Sequence, residues 1–158
     1  MNAPPSPVIL GIDPGTRVTG YGVIGTAGGS TTCIEYGVIR NTQRLTPWEC
    51  HVRIYDGIEK IVTSYAVTSV AVESQFFSKN PQSTLRIGEA RSAAVLPATR
   101  AGLAISEYAP RRVKQAVVGT GTARKEQVQH MVRMILSLAD DNIPEDAADA
   151  LAIALCHL

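Results

Sequence analysis

Two carboxylates in this chain stand where a charge is out of place. Asp13 ends the apolar run Val8 to Ile12, and Glu73 ends a second one, "SVAVE". Runs of strand-forming residues fill the middle of a sheet, so the acid at the end of each faces the loop beyond it. Two more acids, Asp146 and Asp149, sit three apart at the start of "DAADALAIALCHL". On a helix that spacing puts both on one face, with Cβ atoms about 5–6 Å apart. The helix dipole accounts for an acid in the first turn, which covers Asp146. It does not cover Asp149, a turn further in with no basic residue after it. A lone Asp at a strand end is a turn former, but these two strands should be neighbours in a sheet. If the last helix packs beside them, four carboxylates converge with no evident Lys or Arg among them, and their repulsion raises their pKa values unless a cation enters. Oxygen-only ligands suit Mg²⁺ or Mn²⁺, and a pair of such ions can activate water and stabilise the leaving oxygen in phosphodiester hydrolysis.

The elements that must position these acids can be read from periodicity and turn chemistry. "VILGID", "TGYGVIG" and "TCIEYGVIR" form an antiparallel meander, with a hairpin turn at Gly28-Gly29. Thr46-Pro47-Trp48-Glu49 is a capping box, and Tyr55, Ile58, Val62 and Tyr65 recur at helical spacing behind it, predicting a helix from about Pro47 to Tyr65. "SVAVE" follows as a buried strand. A helix from about Ser83 to Ala101 comes next, with Pro97 expected to kink it or stop it early. "LAISEY" reads as a third core strand. A short helix near Arg111 to Val117, the turn "GTGT" and a helix carrying Val128, Met131, Val132, Ile135 and Leu136 on one face complete the middle of the chain, with Thr122 as the expected N-cap. The final helix is expected to begin at a capping Asn142 and Pro144. A meander followed by strands alternating with helices specifies an α/β fold, a mixed sheet of five strands flanked by helices.

The 158 residues, 45% of them hydrophobic, suffice for one core, so residues 8–158 are read as a single domain and the Pro-rich residues 1–7 as a disordered extension. That start is neither a signal peptide nor a membrane anchor. A net charge of +1 announces no nucleic-acid partner, so any basic surface has to be local. Arg100, Arg111, Arg112, Lys114, Arg124, Lys125 and Arg133 do cluster along the chain, just ahead of the acids Asp140 to Asp149. Arg111, Arg112, Lys114, Arg124 and Lys125 read as a phosphate-binding strip, to which the Gly119-Thr120-Gly121 turn would add backbone donors. Cys33, Cys50 and Cys156 are odd in number and widely spaced, which argues against disulfides and structural zinc and fits a reducing cytoplasm.

"LGIDPGTRVTGYGVI", "AVESQFF", "RRVKQAVVGTGTARKEQVQHMV" and "DAADALAIA" resemble, in order, spacing and content, the motifs of the RuvC family of Holliday junction resolvases. The resemblance runs from about Val8 to the end of the chain. It implies a ribonuclease H-like fold, a homodimer, two Mg²⁺ ions per active site (Mn²⁺ substituting) and nicking of two opposed strands at a four-way DNA junction. A branch-migration motor complex is the implied partner, with no membrane involved. By motif, the family's catalytic and metal-binding acids fall on Asp13, Glu73, Asp146 and Asp149. Its base-contacting aromatic falls on Phe76 and its lysines on Lys114 and Lys125, Lys125 being also a candidate to support the transition state. Departures are Pro97 in the expected dimer-forming helix and Ser74, where a longer polar residue is usual.

The main expectation is thus a nuclease that leaves 5′ phosphates. Two other classes share some of these features. G-I-D-x-G-T also resembles the phosphate loop of sugar kinases and related ATPases, but those close two such domains on ATP and this chain has length for one. A junction-binding protein without catalysis, or a nuclease of this fold acting on RNA, is the third class; the intact set of four acids argues against loss of catalysis.

Overall fold

The computed structural model describes residues 6–74, 79–140 and 142–158. Five strands, β1 (Val8–Asp13), β2 (Val18–Ala27), β3 (Ser30–Arg40), β4 (Ser69–Glu73) and β5 (Ala104–Tyr108), form one sheet in the order β3-β2-β1-β4-β5. The β3-β2-β1 half is antiparallel, whereas β1-β4 and β4-β5 are parallel. Gly28 and Gly29 both take positive φ, 58° and 82°, in the hairpin between β2 and β3, the backbone that a two-residue turn needs and that side chains resist.

The apolar runs are buried on both faces, which is why they lack alternation. Leu10, Ile12, Val70 and Val72 pack on one face beneath α1 (Pro47–Ser64) and α2 (Pro81–Arg100). Ile9 and Ala71 pack on the other, beneath α3 (Pro110–Val118), α4 (Lys125–Ile135) and α5 (Glu145–His157). Alternation along each strand therefore assigns Asp13 and Glu73 to the α5 face. β1 and β4 are parallel with Ile12 opposite Val72, so the two acids end adjacent strands at the same edge.

Four expectations about the elements are corrected. α2 runs through Pro97, which is buried, to Arg100, so the proline does not stop it early. The proline forgoes its own bond to the carbonyl four residues back, and the packing of Ala94 and Ala98 against the core holds the last turn. β5 is an edge strand with Ala104 and Glu107 exposed, not a core strand. α4 starts from Arg124, whose N–H donates to the Gln127 Oε1 at 2.8 Å, because the Thr122 hydroxyl is engaged with that of Thr120 at 3.0 Å. Asn142 does not cap α5: its N–H donates to Asp140 Oδ1 at 2.8 Å, and the helix begins after Pro144. The capping box of Thr46 and Glu49 forms as expected. The three cysteines are unpaired, and none of the described helices is long and apolar enough to cross a membrane.

Candidate active site

Glycines decide how closely α5 approaches the sheet. Gly20 lies opposite Asp13 in the β1–β2 register, and a Cβ there would collide with the backbone of Asp146. One on Gly11 would collide with the carbonyl of Ala150 and the backbone of Ala154. With no side chains in this lane, the N-terminal turns of α5 rest directly on the ends of β1 and β2. That approach carries Asp146 and Asp149 to the strand-end acids.

Asp13, Glu73 and Asp149 line one cleft of about 350 Å³, together with Lys114, Lys125 and an apolar wall that includes Val113 and Ile153. Burial pushes the Asp13 carboxyl up to about 7, with Asp149, Glu73 and Asp146 adding to the effect and Lys125 opposing it. Glu73 is raised by burial and by Asp149, against the pull of Lys125 and Lys114. Asp149 is raised by burial despite its hydrogen bond with Lys125. Asp146 does not line the cleft, yet its charge reaches Asp13.

The expectation that no basic residue stands among the acids is corrected. Lys125, the first residue of α4, places its Nζ 3.0 Å from Asp149 Oδ2 and in contact with Glu145 Oε1. Burial works against its charge, but the hydrogen bonds to Glu145 and Asp149 prevail and hold the ammonium above its ordinary value. Among the described residues no three acid, His or Cys side chains are gathered into a ready metal cage. Lys125 engages Asp149 from one side while the other acids repel one another.

The β1–β2 loop that follows Asp13 is pinned by Thr19, a fully buried polar side chain. Its hydroxyl donates to the Gly15 carbonyl at 3.1 Å and accepts from the Gly15 N–H at 3.4 Å.

Of the remaining expected residues, Lys114 joins the cleft through α3. Arg111, Arg112 and Arg124 are exposed and do not line it. The Gly119 to Gly121 turn does not lead straight into α4, which begins only after Arg124. Phe76 lies outside the described residues. Reading the sequence missed Glu145. Its place in the first turn of α5, next to Asp146, was the available signal, but nothing local to it points to Lys125, twenty positions earlier.

A family model described as crossover junction endodeoxyribonuclease RuvC matches residues 9–157. The crossover junction endodeoxyribonuclease RuvC of Tolumonas auensis is 50% identical over 151 residues, covering 95% of this chain and 86% of its own. That of Heliobacterium modesticaldum is 46% identical over 149 residues, covering 94% and 92%. Among solved structures, Thermus thermophilus RuvC in complex with Holliday junction substrate superposes with a TM-score of 0.85 at 34% identity, covering 96% of this chain and 92% of that one. The mixed five-stranded sheet with flanking helices is the ribonuclease H-like fold of these proteins. A strand-end acid pair roofed by an acidic helix, and sequence similarity along nearly the whole length, lead to one conclusion: this chain belongs to the RuvC family of crossover junction endodeoxyribonucleases.

Proposed function

We propose that this protein, with residues 8–158 acting as one nuclease domain, resolves four-way DNA junctions by nicking two opposed strands and leaving 5′ phosphates. The observation that carries the reading is the cleft in which Asp13, Glu73 and Asp149 meet beside Lys114 and Lys125. Acids and ammonium groups lining one cleft suit a phosphodiester bond approached by water.

The residues fit a hard divalent cation such as Mg²⁺, with Mn²⁺ as substitute. Their donors are all carboxylate oxygens, and the Asp13 carboxyl, held near 7 by burial and then by its acidic neighbours, is a buried acid whose charge a cation would stabilise. Asp13, Glu73, Asp146 and Asp149 would hold two such ions, whose chemistry is to activate water and stabilise the leaving oxygen. The protein's own part is positional. Strands β1 and β4 fix Asp13 and Glu73 rigidly, α5 brings Asp149 over them, and the Val113 and Ile153 wall limits water. Lys125 and Lys114 place positive charge where the phosphate becomes more negative. Phe76 is proposed to stack on a base at the opened junction. Arg111, Arg112 and Arg124 are proposed to hold phosphates further out.

Two opposed cuts call for two sites, and a C2 dimer matches a junction's own near two-fold symmetry. Support for a dimer comes from apolar side chains left exposed on α1 and α2: Trp48 (73%), Val52 (59%), Leu85 (64%) and Leu96 (53%). Leu85 and Leu96, three turns apart on α2, border a shallow cleft with Gly88 and Ser92 between them. A branch-migration motor complex in the cytoplasm is proposed as partner on family grounds.

A gel assay of a four-way junction, duplex DNA and structured RNA, with and without Mg²⁺, tests the reading. Paired nicks in the junction only with Mg²⁺ are expected, and Asp13→Asn should abolish them while junction binding persists. ATP turnover without nicking, or cutting confined to RNA, would overturn it.

A further inference from the structure

Beyond the acid cleft, a second cavity of about 620 Å³ opens at the same end of the sheet, on the α1–α2 side. Three arginines from three separate parts of the chain face it: Arg17 from the β1–β2 loop, Arg40 from the end of β3 and Arg86 from α2. All three are exposed, and none makes an ion pair among the described residues. The one acid lining the cavity, Glu89, faces His51 at 3.8 Å instead. Three guanidinium groups against a single carboxylate leave the concavity net positive, so the arrangement favours an anion that spans them.

Arg17 and Arg40 share a hydrogen-bonded frame. Val18 and Arg40 are partners in the β2–β3 register. Asn41 ties the two loops together, its backbone N–H donating to the Arg17 carbonyl at 2.8 Å and its Nδ2 to the Thr16 carbonyl at 2.9 Å. Arg17 is also coupled to the acid cleft, because it follows Asp13 by four residues. Their Cα atoms are therefore within about 14 Å, which corresponds to about four base-pair rises of 3.4 Å along a duplex.

We infer that this cavity is a second DNA-backbone subsite, in which Arg17, Arg40 and Arg86 bind phosphates a few nucleotides from the bond held at Asp13. The inference rests on the junction-cutting reading and names a basic surface outside the Arg100–Arg133 segment. Its role is to fix the register of the cut strand, since guanidinium forks engage phosphate oxygens in pairs and hold them in one orientation. The unbalanced charge favours DNA over a protein partner, which would need acids in matching positions.

The test is the salt dependence of junction binding, measured without Mg²⁺, for the wild type and the triple variant Arg17→Gln, Arg40→Gln, Arg86→Gln. Removing one phosphate-binding arginine should make the slope of log Kobs against log[salt] shallower by about 0.9, so the triple variant should lose about 2–3 in slope. With Mg²⁺ and saturating protein, the triple variant should still nick the junction, with its cut positions spread along the strand. The triple Arg→Lys variant should keep the slope while losing the sharp cut position. A folded triple Gln variant with wild-type slope and cut position would overturn the subsite while leaving the nuclease reading intact. So would a changed dimer equilibrium with unchanged slope, which would assign the cavity to a second copy of the chain. A wild type that neither binds nor cuts junctions would end both. Should the triple variant fail to fold, the single variants at these exposed positions each carry the test through a slope change of about 0.9.

Discussion

Asp13 is the residue on which stability and the proposed chemistry pull in opposite directions. Its folded pKa of about 7 lies above the 3.8 of an unperturbed Asp. Below about pH 4 folded and unfolded chains both hold the proton; between the two values only the folded chain does, so stability falls as pH rises through that window. Above about 7 the penalty is constant, at most on the order of 4 kcal/mol by the usual conversion. Thermal melts in EDTA should therefore show a declining Tm from pH 4 to 7 that Asp13→Asn flattens, while the same substitution removes cleavage. Adding Mg²⁺ should raise Tm more at pH 8 than at pH 5, since neutral carboxyl groups hold a cation poorly; equal shifts at both pH values would count against the acids as its ligands. Lys125 carries a second prediction. Lys125→Ala should slow single-turnover cleavage by about 100-fold or more, and it should also lower the EDTA Tm at neutral pH, because Asp149, Glu73 and Asp13 all lose the charge that offsets their repulsion. Of these residues, the four acids were legible as apolar runs or an apolar helix interrupted by charge. Lys125 was legible as a basic residue but not as a partner of Asp149, because a salt bridge between α4 and α5 has no sequence period.

The element that matters most is α5, and its seating depends on what β1 and β2 lack. Gly20→Ala puts a methyl group into the backbone of Asp146, and neither strand nor helix backbone can yield as a flexible side chain would. We expect a cost of about 1–3 kcal/mol for this overpacking, with loss of cleavage larger than the loss of stability implies, since Asp146 and Asp149 shift away from Asp13. Gly28→Ala, in the hairpin, meets nothing within 4 Å and should leave cleavage unchanged, although its positive φ of 58° weakens the turn. Comparing cleavage with Tm for the two variants separates positioning from general destabilisation. Strand and helix identities were legible because burial period is a local property. Pro97, Thr122 and Asn142 show where local rules stop. Core packing carries α2 through a proline, the Thr122 hydroxyl is engaged with that of Thr120, and the backbone N–H of Asn142 is held by Asp140 in a turn two residues before α5 is capped at Pro144.

For the whole molecule, the near-neutral total of +1 conceals an uneven surface, with lysines at the acid cleft and arginines on the other side of the sheet end. The exposed apolar face of α1 and α2 adds an expectation about assembly. Leu85→Glu with Leu96→Glu should convert a dimer to a monomer by sedimentation without lowering protomer stability, because both side chains are already exposed in the protomer. A monomeric wild type at assay concentration would remove the two-site arrangement. The amino-acid sequence by itself determined which acids interrupt apolar segments, which segments become strands and helices, and the family, since each depends on residue type and short-range spacing. Only the tertiary structure decided that Lys125 pairs with Asp149 and Glu145, that glycines at positions 11 and 20 let α5 reach the sheet, and that Arg17, Arg40 and Arg86 share a cavity. These are matters of proximity between segments remote along the chain, and proximity is fixed by how the layers pack, which no local pattern encodes.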